Sequence, residues 1–109
     1  LAGLSRFEEE TLAAWFRERY AESGRWIRIG RWWDWQGRNE IGLVALNENE
    51  GRCEIAEVKR NPAKIDLGLL RMKAIAFEQA AGRFLKKMGE PRLRGLSLED
   101  MLKEPQTDG

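Results

Sequence analysis

The stretch Ile41-Gly42-Leu43-Val44-Ala45-Leu46 constrains the fold of this chain more than any other. Side chains alternate across a strand, so a strand that is apolar at successive positions needs cover on both faces. The flanking sequence supplies that cover. Upstream, residues 5–22 place Leu12, Trp15, Phe16 and Tyr20 at helical spacing, which predicts a buried stripe. Ser5 and Glu8 form an S-x-x-E capping box at its start, and Ser23-Gly24 ends it. Downstream, Asn61-Pro62 opens a long second helix, capped by Asn61 or Asp66. Ile65, Leu69, Met72, Ala76, Ala80 and Phe84 keep one of its faces apolar as far as Met88-Gly89.

Between the helices the period changes. Trp26, Ile27, Ile29, Trp32, Trp33 and Trp35 make a β-branched and aromatic run from Arg25, closed by the turn Gln36-Gly37-Arg38-Asn39. The second strand is Glu40 to Leu46. Asn47-Glu48-Asn49-Glu50-Gly51 is a polar hairpin loop with the glycine such loops favour, and Arg52 to Lys59 is the third strand. After Pro91 comes a short strand, Arg92 to Leu96, then a capped turn at Ser97-Leu98-Glu99-Asp100. The order is α-β-β-β-α-β, which predicts an α/β sandwich with a central mixed sheet flanked by helices. One domain over residues 1–103 is expected, with Glu104 to Gly109 as a frayed tail.

Composition removes several classes of function. Hydrophobic residues at 42% and charged residues at 34% exclude a disordered chain. With 19 basic and 18 acidic side chains the net charge is +1, so any polyanion site must be a local patch. One cysteine and no histidine argue against a disulfide, a zinc site and Ser-His or Cys-His catalysis, and point to a reducing, cytoplasmic setting. No apolar run approaches the roughly 18 residues that span a bilayer. The chain begins at Leu1, which suggests a piece of a longer protein.

Chemistry concentrates on the third strand, Glu54-Ile55-Ala56-Glu57-Val58-Lys59, where alternation puts Glu57 and Lys59 on one face. A carboxylate beside an ammonium suits metal-assisted phosphodiester hydrolysis: the first holds a hard cation, the second orients or deprotonates water. Alone, E-x-K is also an ordinary surface pair. Its surroundings are more specific. Ile29-Gly30, Trp32-Trp33-Asp34, Asn39-Glu40-Ile41, Leu43-Val44-Ala45-Leu46-Asn47, Glu57-Val58-Lys59 and Gly95-Leu96-Ser97-Leu98-Glu99-Asp100-Met101 together resemble a known family. It is the small C-terminal domain that follows the P-loop module in many archaeal and bacterial ATPases, a domain of the PD-(D/E)XK nuclease superfamily. The resemblance implies a restriction-endonuclease-like αβββαβ core, a covalent P-loop ATPase partner, possible DNA contact, and catalytic roles for Glu57 and Lys59. No G-x-x-x-x-G-K-[ST] occurs here, so these residues do not bind ATP by that motif.

One departure bears on activity. After Glu40-Ile41 the family has an aspartate that would share a cation with Glu57, and this chain has Gly42. Glu8, or Glu9, from the first helix often completes such sites, and Glu8 stacks above Leu12 and Trp15. Glu40 shares a face with residue 42 but lies about 7 Å away along the strand. The set Glu57, Glu8 and Glu40 is therefore expected to hold Mg2+ or Mn2+ weakly, if at all, and the domain to be catalytically impaired. Trp32, Trp33 and Trp35 are expected to pack in the core rather than stack bases, and Cys53 to be an inert core thiol. Lys59, Arg60 and Lys64 form a basic rim suited to a phosphate backbone, with Arg25, Arg28, Arg31 and Arg38 near the first strand; an ordinary solvated face fits them equally well. The readings left open are an impaired nuclease-type domain acting in DNA contact or assembly, an active endonuclease, and a protein-interaction module.

Overall fold

A four-stranded sheet between two helical layers organises the chain. The computed structural model describes residues 2–86 and 88–103, the side chains of 2–7, 83 and 84 excepted. The expected tail, residues 104–109, and the expected place of the Phe84 side chain lie outside what is described. Helix α1 (Ala2–Glu22) leads into β1 (Arg28–Trp33), β2 (Glu40–Asn47) and β3 (Arg52–Lys59). A 3-10 turn (Pro62–Lys64), α2 (Leu67–Ala81) and the short α3 (Arg83–Lys86) then cross to β4 (Arg92–Ser97), and α4 (Leu98–Lys103) comes last. The strands lie in the order β1-β2-β3-β4, the first two pairings antiparallel and β3–β4 parallel. This is the mixed sheet of the expected αβββαβ core.

Both faces of β2 are covered, as its unbroken apolar run requires. On one side Leu12, Ala13 and Phe16 of α1 pack on Leu43, Ala45, Ala56, Val58 and Leu96. On the other, Leu70, Ala74, Phe77 and Leu85 pack on Ile41, Val44, Leu46, Cys53 and Ile55. The turns use the chemistry legible in the sequence. Gly51 takes φ 66° in the β2–β3 loop, and Asn47 Oδ1 accepts from the Glu50 amide at 3.1 Å. Asp100 Oδ2 accepts from the Ser97 amide at 2.8 Å, closing the α4 cap.

Several elements differ from expectation, each for a local reason. Helix α1 runs from Ala2 through Ser5, so Ser5 is not its N-cap; Ala2 and Leu4 are good helix formers. Strand β1 is shorter than the aromatic run because Asp34 turns the chain, its carboxylate accepting from the amides of Arg38 (2.8 Å) and Asn39 (3.2 Å). Desolvation pulls this carboxyl upward, but hydrogen bonds from Asn39, Arg38 and Gly37 hold it below the usual range. Of the three tryptophans expected in the core, Trp32 packs edge-on against Phe77 at 5.4 Å. Trp33 is 54% exposed beneath the Arg31 guanidinium, and Trp35 is 91% exposed in the turn. An edge strand and a turn offer nothing to cover them.

The single long helix becomes three pieces. Asn61 caps the 3-10 turn through Ala63 N, Asp66 caps α2 through Leu69 N, and Gly82 at φ 55° ends α2. The buried face of α2 is also rotated: Leu70, Ala74 and Phe77 face the sheet, while Leu67, Leu69, Met72 and Ile75 are exposed. Apolar side chains occur around most of this helix, so periodicity alone leaves its orientation undetermined. A small residue flanked by two bulky ones fits the sheet closely, and the structure selects that face.

Close approach elsewhere is set by Gly95 on β4, opposite Glu57. A Cβ there would fall 2.5 Å from Ile65 Cγ2 and 3.1 Å from its Cδ1. Ile65 would have to move, so Gly95→Ala is expected to cost about 1–3 kcal/mol in urea denaturation. An unchanged midpoint would show that the approach is not this tight.

Candidate functional site

Position 42 sits in a β-bulge. Gly30 pairs with Val44 and Trp32 with Ile41, so Arg31 on β1 faces two residues of β2, Gly42 and Leu43. The extra residue turns Ile41 toward the α2 layer and leaves Leu43 against α1. A Cβ at 42 would lie 3.6 Å from Ala13 Cβ and 3.8 Å from Val58 Cγ2, ordinary contact on the α1 side. The Gly42 carbonyl accepts from Arg17 Nη1 at 2.7 Å. Arg17 Nη2 pairs with Glu10 Oε1 at 2.6 Å, and Arg31 Nη1 lies 3.0 Å from the same oxygen. Where the resemblance expects a carboxylate and a cation, the structure has a glycine and a guanidinium.

Glu57 and Lys59 diverge. Glu57 is 6% exposed and turns into the α2 layer, where Lys73 Nζ donates to its Oε1 at 3.3 Å. Lys59, at the end of the strand, reaches α1 instead, 3.8 Å from Glu9 Oε1. Glu8 is exposed and pairs with Arg60 at 2.5 Å. Glu40 is exposed opposite Trp33. Glu8, Glu40 and Glu57 are therefore not brought together, and among the described residues no three acidic or thiol side chains converge on a metal position. Mg2+ and Mn2+ require several converging oxygens, so this donor set does not fit either ion. Of the expected basic rim, Lys59 and Arg60 are paired with Glu9 and Glu8, and Lys64 is exposed on the 3-10 turn.

A second polar cluster lies on the α1 side at the start of β3. Glu54 is 5% exposed and accepts from the Tyr20 hydroxyl and from Arg94 Nη1, the latter at 3.4 Å. Arg94 Nη1 also donates to the Tyr20 oxygen at 3.0 Å. Burial first, then the Glu54 carboxylate, pushes the Tyr20 hydroxyl well above its ordinary value, so it stays a donor. Neighbouring Cys53 is buried in the opposite layer, and burial, aided by Glu78 and Glu54, pushes its thiol up to about 11. It is inert at neutral pH.

Motif and spacing single out neither Arg17, Lys73 nor the Tyr20–Glu54–Arg94 group. A signal was present: Glu54 and Glu57 interrupt an otherwise apolar strand three residues apart. They must face opposite layers, and each then needs its own buried donor.

Among the described residues no helix is long and apolar enough to cross a membrane. No curated protein and no solved structure matches the chain. A family model for archaeal and bacterial proteins of unknown function, DUF234, matches residues 5–66, from α1 through all of β1, β2 and β3. That match takes in more than half of the chain, including the bulge at Gly42 and the E-x-K strand, and places the protein in the DUF234 family.

Proposed function

We propose that the chain is a nuclease-type domain without metal-dependent hydrolytic activity, acting in DNA contact or assembly within a larger cytoplasmic protein that carries a P-loop ATPase module. The αβββαβ order with E-x-K on β3 supports the nuclease-type ancestry. The observation that carries the loss of activity is the engagement of the site's own groups. Residue 42 has no carboxylate, its carbonyl is held by Arg17, and Glu57 is committed to Lys73 in the other layer. A cation would have to displace both partners to gain one carboxylate.

Supercoiled plasmid incubated with the domain and Mg2+ or Mn2+ is expected to remain intact. Gly42→Asp is expected to gain neither cleavage nor calorimetric metal binding, because the new carboxylate falls on the α1 side near Arg17 and Glu57 points away from it. Cleavage by the wild type that disappears in Glu57→Ala would overturn the proposal and establish the active-endonuclease reading.

A second reading, a protein-interaction module docking on the ATPase, is favoured by the uncovered apolar face of α2: Leu67, Leu69, Met72 and Ile75. Gel shifts at low salt separate the two. Retention of duplex or branched DNA that weakens in Lys59→Ala, Arg60→Ala or Lys64→Ala variants supports DNA contact. No retention of any DNA form supports docking.

A further inference from the structure

The Glu54 cluster forms the floor of a cleft of about 330 Å³, bounded by the C-terminal half of α1, the chain entering β1, the first residues of β3 and β4, and α4. Among the described residues five cationic side chains line it, Arg19, Arg25, Arg92, Arg94 and Lys103, against two carboxylates, Glu54 and Asp100. The chain as a whole carries a net charge of only +1, so this excess is local.

Most of the acid is already engaged. Asp100 accepts from both the amide and the hydroxyl of Ser97, and Glu54 from Tyr20 and Arg94. Arg19 is paired with Glu22 at 2.9 Å. Arg25 and Lys103 have no carboxylate partner among the described residues, and Arg92, its side chain 75% exposed, reaches Glu54 only at 4.0 Å. The Lys59 end differs, since Glu8 and Glu9 neutralise its cations there. Among the described residues Arg94 is anchored through Nη1, to Tyr20 and Glu54. Its planar fork is thus oriented by the floor of the cleft while its remaining N–H groups are left for an oxyanion.

We propose that this cleft, framed by Arg25, Arg92, Arg94 and Lys103 over the Tyr20–Glu54 floor, is a binding site for a phosphoryl group. Among the described residues Arg25 and Lys103 have no carboxylate partner and Arg92 only a distant one, a charge excess that matches a phosphate better than a single carboxylate, and Arg94 supplies bidentate geometry. The group can come from a free ligand such as a nucleotide, or from a nucleic-acid backbone. The site lies on the opposite face of the sheet from Glu57, and the inference stands whether or not the proposed loss of nuclease activity is correct.

The test is a titration of the isotope-labelled domain with inorganic pyrophosphate and, separately, with a short single-stranded oligonucleotide, monitored through the Trp26 indole and Arg94 side-chain resonances. Saturable shifts are expected. The double variant Arg25→Glu/Lys103→Glu, at two exposed positions, should keep the wild-type melting temperature and bind about tenfold more weakly or worse. Arg94→Lys, which keeps the charge and loses the fork, should weaken binding too, and Arg71→Ala, at an exposed position on α2 on the other side of the sheet, should leave it unchanged. Saturation by pyrophosphate alone assigns a free ligand; oligonucleotide affinity that rises with length and falls with salt assigns a strand backbone. No saturable shift with either probe, or equal affinity in the Arg25→Glu/Lys103→Glu variant, overturns the proposal.

Discussion

Replacing Leu70 by alanine is expected to destabilise the domain by about 3–4 kcal/mol, within the range for a fully buried leucine. Leu70 is 0% exposed and belongs to the cluster of Ile41, Val44 and Ile55, so the lost side chain leaves a cavity between α2 and the sheet. Two residues on, Met72 is 68% exposed, and Met72→Ala should stay within about 0.5 kcal/mol of wild type. Urea denaturation read by circular dichroism distinguishes the two. The Leu70→Ala midpoint should fall with its slope unchanged, which marks a change in stability rather than in the denatured state. If Met72→Ala proved the costly change, α2 would be presenting its Leu69-Met72 face to the sheet, and the apolar surface invoked for docking would not exist.

That pair of residues also shows where sequence reasoning stops. The alternation of strands and helices was legible because several boundaries are written in local chemistry: Gly51 in the hairpin, Asn61 and Asp66 at helix starts, Ser97 with Asp100 at the last turn. The rotation of α2 was not, because apolar residues occupy most of its circumference and the choice of face depends on sheet relief. The bulge at Gly42 was equally hidden. It is a mismatch of count between two strands, visible only once Gly30 is paired with Val44 and Trp32 with Ile41. That single extra residue turns Ile41 into the α2 layer and leaves position 42 facing α1. Strict alternation put Glu57 and Lys59 on one face, but could not say that Lys73 on a distant helix would claim the first and Glu9 on α1 the second. Candidate site residues were thus found by type and spacing, whereas their partners, which decide what they do, come from tertiary contacts between residues far apart in sequence.

Lys73→Met is expected to cost about 3 kcal/mol, the lower end of the range for removing one member of a buried ion pair. The Glu57 side chain is 7% exposed and that of Lys73 17%, so the carboxylate loses its cation where water reaches it poorly. Glu57→Met/Lys73→Met should return to within about 1 kcal/mol of wild type, since a packed apolar pair removes the desolvation penalty together with the attraction. The double-mutant cycle isolates their coupling, because each change deletes one half of a single contact. Additive effects of the two substitutions would mean that Glu57 is not bound to Lys73. The same variants bear on function through their response to Mn2+. With Lys73 gone, Glu57 is released from its partner, yet Glu8 remains paired with Arg60 and no group of three acidic or thiol side chains converges on an ion position among the described residues. Added Mn2+ should therefore leave the melting temperature of Lys73→Met unchanged. A rise that disappears when Glu57 is also replaced would show that this carboxylate can swing from α2 to an ion, and would return the domain to the hydrolytic enzymes.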